Sequence, residues 1–273
     1  YEKKLQKLAK IVIRKEGHPD RVVRSPKFAN RLEKDYLGRI YLHTEDECYL
    51  LHTSGDIGLQ KIDKSFYEEQ IKPIASEYAN KVFFSNYNPL FPAVDYFAVD
   101  KKDSSLQTLL YVEDAEIMEH YRAEYKYVDV RTKLWAWDME IASGIDREIW
   151  VGAAVFTNSL YYEPPFVPLF TQNDTAYISD HYKNQLFKFA IDNEIELVDS
   201  IAIDYHLDKR KTGWRRVVLQ DPITEKTFVL YDKAGFSHIR ELHPNDGTLS
   251  QTMPLFYRYV EKVAVYDNSV YYI

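Results

Sequence analysis

The residues best equipped for recognition chemistry lie between positions 180 and 214. "DHYKN" (180–184) and "DYHLDKRKTGW" (204–214) offer His181, Tyr182, His206, Arg210 and Trp214 within two short polar stretches. Imidazole, phenol and indole rings stack on a ligand ring, and their polar groups with the guanidinium hydrogen-bond its edge. That mixture suits a ring-bearing small molecule or a glycan, and these five residues are the candidate ligand-binding set. No catalytic residue is assigned. The chain has no Gly-x-Ser-x-Gly nucleophile elbow, and its nine glycines form neither a dinucleotide fingerprint nor a phosphate loop. Its eight histidines show no metal-ligand spacing. Neither a metal nor a cofactor is expected.

A second aromatic group comprises Trp135, Trp137, Trp150, Tyr161 and Tyr162, followed by "EPPF" (163–166). Read as strand residues, Trp135 and Trp137 share one face by two-residue alternation and pack between sheets. A sugar-stacking platform is the alternative.

Composition narrows the class. The 273 residues carry a net charge of −7 and 45% apolar residues, with 23 tyrosines among the aromatics. A net acidic chain without a Lys/Arg block lacks the electrostatic footprint of a nucleic-acid binder. No uninterrupted apolar run approaches the ~18–20 residues that cross a bilayer, so no membrane span is expected. Cys48 is the only cysteine, which excludes an internal disulfide, and it reads as a buried small apolar residue. The first residue is Tyr1 and no signal-peptide pattern follows, as in a mature or trimmed form.

Two phrases recur in the elements that must position these side chains. One is apolar-x-apolar, three residues, then a turn former: "IVIRKEG" (11–17), "YLLHTSG" (49–55), "FKFAIDN" (187–193), "VLYDKAG" (229–235) and, more loosely, "FAVDKKD" (97–103). A second apolar run follows at once in "IGLQKI", "IELVDSI" and "FSHIREL", so these read as β-hairpins. The other phrase is "GRIYL" (38–42), "NKVFF" (80–84), "TKLWA" (132–136), "DTAYI" (174–178), "WRRVVL" (214–219) and "NSVYY" (268–272), spaced by about 46 residues on average. A step of ~40–50 with several short strands per unit is the signature of a β-propeller. Six such phrases predict an all-β, six-bladed β-propeller as a single domain over residues 1–273. The N-terminal strands would close the last blade, Ile11–Arg14 lying beside Val270–Ile273, because an open ring leaves bare edges. A β-sandwich or two smaller β domains is the alternative. Residues 115–126 fit a short helix capped by Asp114 or a twisted strand pair, and 65–79 fit a helical or irregular insertion interrupted by Pro73. Loop alternation then assigns "HTEDE" (43–47), "DHYKN", "DPITE" (221–225) and 204–214 to one rim.

"KDYLGRIYLHTEDECYLLHTSGDIGLQKI" (34–62), echoed at 174–201 and 226–242, resembles the six-bladed β-propeller proteins abundant in Bacteroidetes. Many of these are exported, commonly as lipoproteins. The resemblance implies a periplasmic or cell-surface location, although no lipid-acceptor Cys stands near Tyr1 and the Gly-Arg-Gly-Pro-Gly stretch of several members is absent. The expected function is non-enzymatic: a monomeric binding or scaffold propeller for a small molecule, glycan or protein. The rival is a propeller lactonase, glycan lyase or hydrolase with residues scattered around the channel mouth. A structural partner of an outer-membrane assembly is a third reading.

Overall fold

The computed structural model describes residues 10–13, 19–53, 57–88, 90–156 and 164–273. It is mostly β, 47% strand, in several antiparallel sheets. The chain divides into two compact units, one of Tyr1–Glu77 and Val82–Phe84, the other of Tyr78–Lys81 and Ser85–Ile273.

In the first unit, β1 (Lys10–Ile13) and β2 (Arg21–Arg24) form a two-stranded ladder. β3 (Arg31–Lys34), β4 (Ile40–His43), β5 (Cys48–His52) and β6 (Gly58–Ile62) form a four-stranded meander. Its first turn is built by Asp35, whose Oδ1 accepts from the Leu37 and Arg39 N–H groups. Gly38 supplies the left-handed residue at φ +76. Tyr41, Cys48 and Tyr67 make the core, so Cys48 is the small buried residue its isolation suggests. The 65–79 segment resolves into α1 (Lys64–Phe66), capped by Asp63, a π-helical turn over Tyr67–Ile71, and strand β7 (Ile74–Tyr78) after Pro73.

With β8 (Lys81–Tyr87), β9 (Ala93–Asp100) and β10 (Leu106–Glu113), β7 gives the sheet order β10-β9-β8-β7. Three helices follow: α2 (Ala115–Glu124), α3 (Val130–Ser143) and α4 (Arg147–Phe156). Asp114 caps α2 by accepting from the Ile117 N–H, which decides for the helical reading of 115–126. Met118 and Tyr121 of α2 pack against Ile149 and Ala153 of α4. Gly152 permits that closeness: a Cβ there would lie 2.4 Å from the Tyr121 Cβ.

The sequence expectation fails at "TKLWA", which lies inside α3. Asp129 accepts from the Thr132 N–H at one end and Gly144 takes φ +73 at the other, and these stops fix a helix over a locally strand-like run. Trp135 and Trp137 therefore do not share a face as strand residues would, since two helical residues differ by about 200°. Trp135 meets Trp150 edge-on at 6.2 Å, and Trp137 is half-exposed. Tyr161 and Tyr162 lie outside the described residues.

Beyond the helices, β11 (Leu169–Gln172), β12 (Thr175–Asp180), β13 (Gln185–Ile191) and β14 (Ile195–Ala202) make another four-stranded meander. After α5 (Lys209–Thr212) come β15 (Trp214–Gln220), β16 (Thr227–Lys233), β17 (Phe236–His243) and β18 (Thr248–Leu249), with β19 (Met253–Arg258) also pairing with β17. β20 (Val263–Tyr266) and β21 (Ser269–Tyr272) close the chain as a hairpin. Five of the six repeated phrases thus begin or fill strands: β4, β8, β12, β15 and β21. Among the described residues β1 ladders with β2 and β20 with β21, each as a separate two-stranded sheet, so the expected seam is not made by strand pairing.

"WRRVVL" is the first strand of its sheet, whereas "GRIYL", "NKVFF" and "DTAYI" are second strands. In a meander, loops after first and second strands leave at opposite ends. "DPITE" therefore joins the end opposite "DHYKN". There Glu225 accepts from the Asn173 N–H of the β11–β12 turn, and Asp221 accepts from the β20–β21 turn.

Candidate functional site

The second unit gathers His181, His206 and Trp214 into one aromatic cluster. Ring centroids are 4.8 Å apart for His181–His206, 4.9 Å for His181–Trp214 and 5.6 Å for His206–Trp214. Phe166 stacks on His181 at 5.3 Å and Tyr205 meets it edge-on at 5.5 Å. His181 follows β12, His206 lies in the β14–α5 connection, and Trp214 opens β15. All three are less than 10% exposed, so they form a wall rather than a solvated rim.

The hydrogen bonds fix the state of His181. Its Nδ1 lies 2.9 Å from the Phe166 carbonyl, which can only accept, so Nδ1 carries the proton. Nε2 then offers a lone pair, to which the Tyr205 hydroxyl donates at 2.8 Å. Burial lowers the ring pKa to about 4, against the opposing pull of the Phe166 carbonyl, so His181 is neutral at physiological pH. Burial also lowers His206 and raises the Tyr205 phenol. His206 Nε2 pairs with Asn184 Oδ1 at 2.9 Å. Trp214 Nε1 is buried with no hydrogen-bond partner among the described residues.

Tyr205 links this wall to a cavity of about 510 Å³ lined by Asp204, Tyr205, Thr212, Tyr231, His238, Arg240, Thr248 and Leu249. Strand register builds it. Trp214 pairs with Tyr231, and Tyr231 with His238, so the three stand in a row across β15, β16 and β17. Tyr231 and His238 stack with centroids 4.9 Å apart and planes 7° from parallel. Arg240, two residues on from His238, shares its face of β17. Arg240 is anchored by Nε to the Ser250 carbonyl at 2.8 Å and by Nη2 to the Leu249 carbonyl at 3.4 Å. The Tyr231 hydroxyl donates to the Tyr205 carbonyl at 3.0 Å, tying cavity floor to cluster. His238 is held below its ordinary pKa by burial and then by the Arg240 charge, and presents a neutral imidazole.

A second cavity, about 450 Å³ in the first unit, includes Glu33, Asp35, Tyr36 and Tyr67. Its carboxylates are committed. Glu33 accepts from Tyr67 and faces Arg31 and His43, while Asp35 holds its own turn and Arg39. It therefore ranks behind the Tyr231–His238 cavity.

Of the candidate residues, His181, His206 and Trp214 come together, and the Tyr182 hydroxyl joins them by accepting from the Phe166 N–H at 3.1 Å. Arg210 lies exposed on α5 and makes none of these contacts. Sequence reasoning missed Tyr231, His238 and Arg240 because their juxtaposition needs strand register. The signal was present, however: a two-residue turn at Ala234–Gly235 in "VLYDKAGFSHIREL" pairs position 231 with 238.

Gly213 sets the approach to Trp214. It sits at φ +80, and a Cβ would lie 2.2 Å from the Asp232 carbonyl oxygen. The Asp232 N–H donates to the Gly213 carbonyl at 2.8 Å. Gly213→Ala is expected to cost about 2 kcal/mol of stability in denaturant unfolding, combining backbone strain with the clash. A loss within about 0.5 kcal/mol, the range of ordinary surface substitutions, would contradict this packing.

Among the described residues no three His, Cys, Asp or Glu side chains converge as a metal site, and no helix is long and apolar enough to cross a membrane. The fold and site together define a mostly-β protein of serial antiparallel sheets, with an aromatic-walled cavity in its second unit. No family model matches the chain, and no curated protein matches it. Solved structures do. A protein from Lactobacillus plantarum matches at 11% identity and TM-score 0.32, with 90% of this chain and 65% of that one covered. A virginiamycin B lyase from Staphylococcus aureus, solved with quinupristin, matches at 10% identity and TM-score 0.36, covering 98% and 71%. A luciferin-regenerating enzyme matches at 11% identity and TM-score 0.35, covering 90% and 69%. These neighbours are β-propeller proteins. At such identities and TM-scores the likeness assigns neither a family nor an activity.

Proposed function

We propose that this chain is a binding protein for a sugar acid, free or within a glycan, held in the Tyr231–His238 cavity. The observation that carries the reading is Arg240. Two of its nitrogens are anchored on backbone carbonyls, Nη1 has no hydrogen bond among the described residues, and the guanidinium lies beside a stacked aromatic pair in a cavity of ligand size. A carboxylate would meet Nη1, while Asp204, Thr212 and Thr248 take hydroxyls and the outer face of the stacked pair contacts the sugar's C–H face. The His181 cluster supports the wall from behind.

Among the described residues Asp204 is the one carboxylate lining that cavity, whereas glycoside hydrolysis by the common route uses two flanking the bond. This supports binding over a hydrolase. A lyase or lactonase reading has one observation in its favour, the Tyr205 hydroxyl bonded to neutral His181 at the cavity wall. Turnover of a uronate-containing glycan or a lactone, abolished by Tyr205→Phe, would decide for it.

Residues 1–273 are read as a single propeller domain, on sequence rhythm, and a periplasmic or surface location on the family resemblance. Both are compatible with a glycan ligand. Calorimetric titration with glucuronate, galacturonate and the corresponding neutral sugars tests the binding reading. The acids are expected to bind at least about tenfold more tightly than the neutral sugars, with the advantage lost in Arg240→Gln. Equal affinity for both, or an unchanged preference in that variant, would refute it.

A further inference from the structure

The helix α3 carries an apolar row that the other described residues leave uncovered. Val130, Leu134, Trp137 and Ile141 are 72%, 54%, 50% and 71% exposed. Their spacing of four, three and four residues is that of a coiled-coil seam, so all four lie along one side of the helix. The opposite side is already used, with Ala136 buried and Trp135 against Trp150 of α4.

Charges flank this seam in an ordered way. Arg131 and Lys133 lie on the N-terminal half, Asp138 and Glu140 on the C-terminal half, in the positions next to the apolar row. The arrangement is self-complementary about a point between Trp135 and Ala136. A second α3 laid antiparallel sets Val130 level with Ile141 of the other copy and Leu134 level with Trp137. The same operation brings Arg131 and Lys133 of each copy alongside Asp138 and Glu140 of the other. A two-fold interface needs a patch that matches itself in this way. Existing contacts leave room for it. The Arg131 and Asp138 side chains have no partner among the described residues, Lys133 lies over the Tyr125 ring at 5.3 Å, and Glu140 holds Arg147 at 3.3 Å in a partly exposed pair.

We propose that the exposed face of α3 pairs antiparallel with the same face of a second copy of this chain. The sequence alone suggested a monomer; this surface supplies a reason for dimerisation. With a helix about 21 Å long, the contact is small and the dimer concentration-dependent.

Sedimentation of the full chain over rising concentration, with helicity followed by circular dichroism, tests it. The native protein is expected to pass from monomer to dimer. Arg131→Glu with Lys133→Glu makes all four flanking charges negative and is expected to weaken self-association about tenfold or more. Asp138→Lys with Glu140→Lys makes them all positive and has the same effect. Mixing these two variants restores a dimer containing one of each, and combining all four changes in one chain restores the homodimer. Leu134→Glu, at a solvent-exposed position, removes it. A native chain that stays monomeric at every concentration, even if its α3 face binds lipid vesicles, would overturn the proposal. So would a dimer indifferent to the charge reversals and to Leu134→Glu.

Discussion

Asp221→Ala is expected to release the C-terminal hairpin and cost about 3 kcal/mol of stability, the sum of several charge-assisted hydrogen bonds to a buried carboxylate. Asp221 is fully buried at the end of β15. Its Oδ1 accepts from the Ile223 N–H at 3.0 Å, closing its own turn, and from the Asp267 N–H at 3.0 Å. Its Oδ2 accepts from the Asn268 N–H at 2.8 Å. One carboxylate thus fastens the β20–β21 turn to the β15–β16 turn, while Val265 packs with Phe228 and Ile239. Burial alone would raise the carboxyl pKa, but the N–H donors of Asn268, Ile223 and Asp267 outweigh it and hold the group well below the usual carboxylate range. A depressed folded pKa means stability that is present above about pH 4 and lost as pH falls further. Asp221→Asn is expected to lose most of the same stability, because an amide NH₂ cannot accept from Asn268 as Oδ2 does. Amide hydrogen exchange over Val263–Tyr272 reads the effect locally. Unchanged protection there in Asp221→Ala would show that the hairpin is held by other contacts.

Acid destabilisation through His181 is the second large effect, and its window is higher. The folded ring has a pKa of about 4, against 6.5 for an unburied imidazole. Above pH 6.5 neither folded nor unfolded chain carries the proton. Between 6.5 and 4 the unfolded chain takes it up and the folded chain does not, so stability declines with falling pH. Below 4 both are protonated and the decline from this group ends. The full span amounts to about 3 kcal/mol at about 1.4 kcal/mol per pH unit. His206 and His238, both lowered by burial, act in the same direction. Unfolding free energies at several pH values between 7 and 4 should therefore show a slope that shrinks in His181→Gln. A variant with the native slope would mean that His181 is not the buried neutral ring described here.

Much of the strand framework could be read from the chain because local chemistry and tertiary placement agree there. "FKFAIDN" and "IELVDSI" became β13 and β14, and the Asp114 cap marked the start of α2. "TKLWA" misled because alternating Leu, Trp, Ala and Trp fit a strand locally. The deciding signals were Asp129 and Gly144, more than a dozen residues apart, together with apolar spacing of three and four. The site divided along the same line. Residue type pointed to His181, His206 and Trp214, which the structure brings together. Their burial depends on Phe166 and Tyr205 covering them, which no single stretch displays. Arg210 had the right charge but sits on a solvent-facing helical turn, whereas Arg240, on His238's face of β17, comes beside the Tyr231 ring only once β16 and β17 are in register.

The site claim is tested most directly by following the eight imidazole side chains by NMR during titration with a galacturonate oligomer. A ligand seated against the Tyr231 platform and bridged to Arg240 predicts saturable shifts of the His238 ring while the exposed His52 and His120 stay fixed. Saturable binding that leaves His238 unmoved would place the ligand elsewhere and contradict the account.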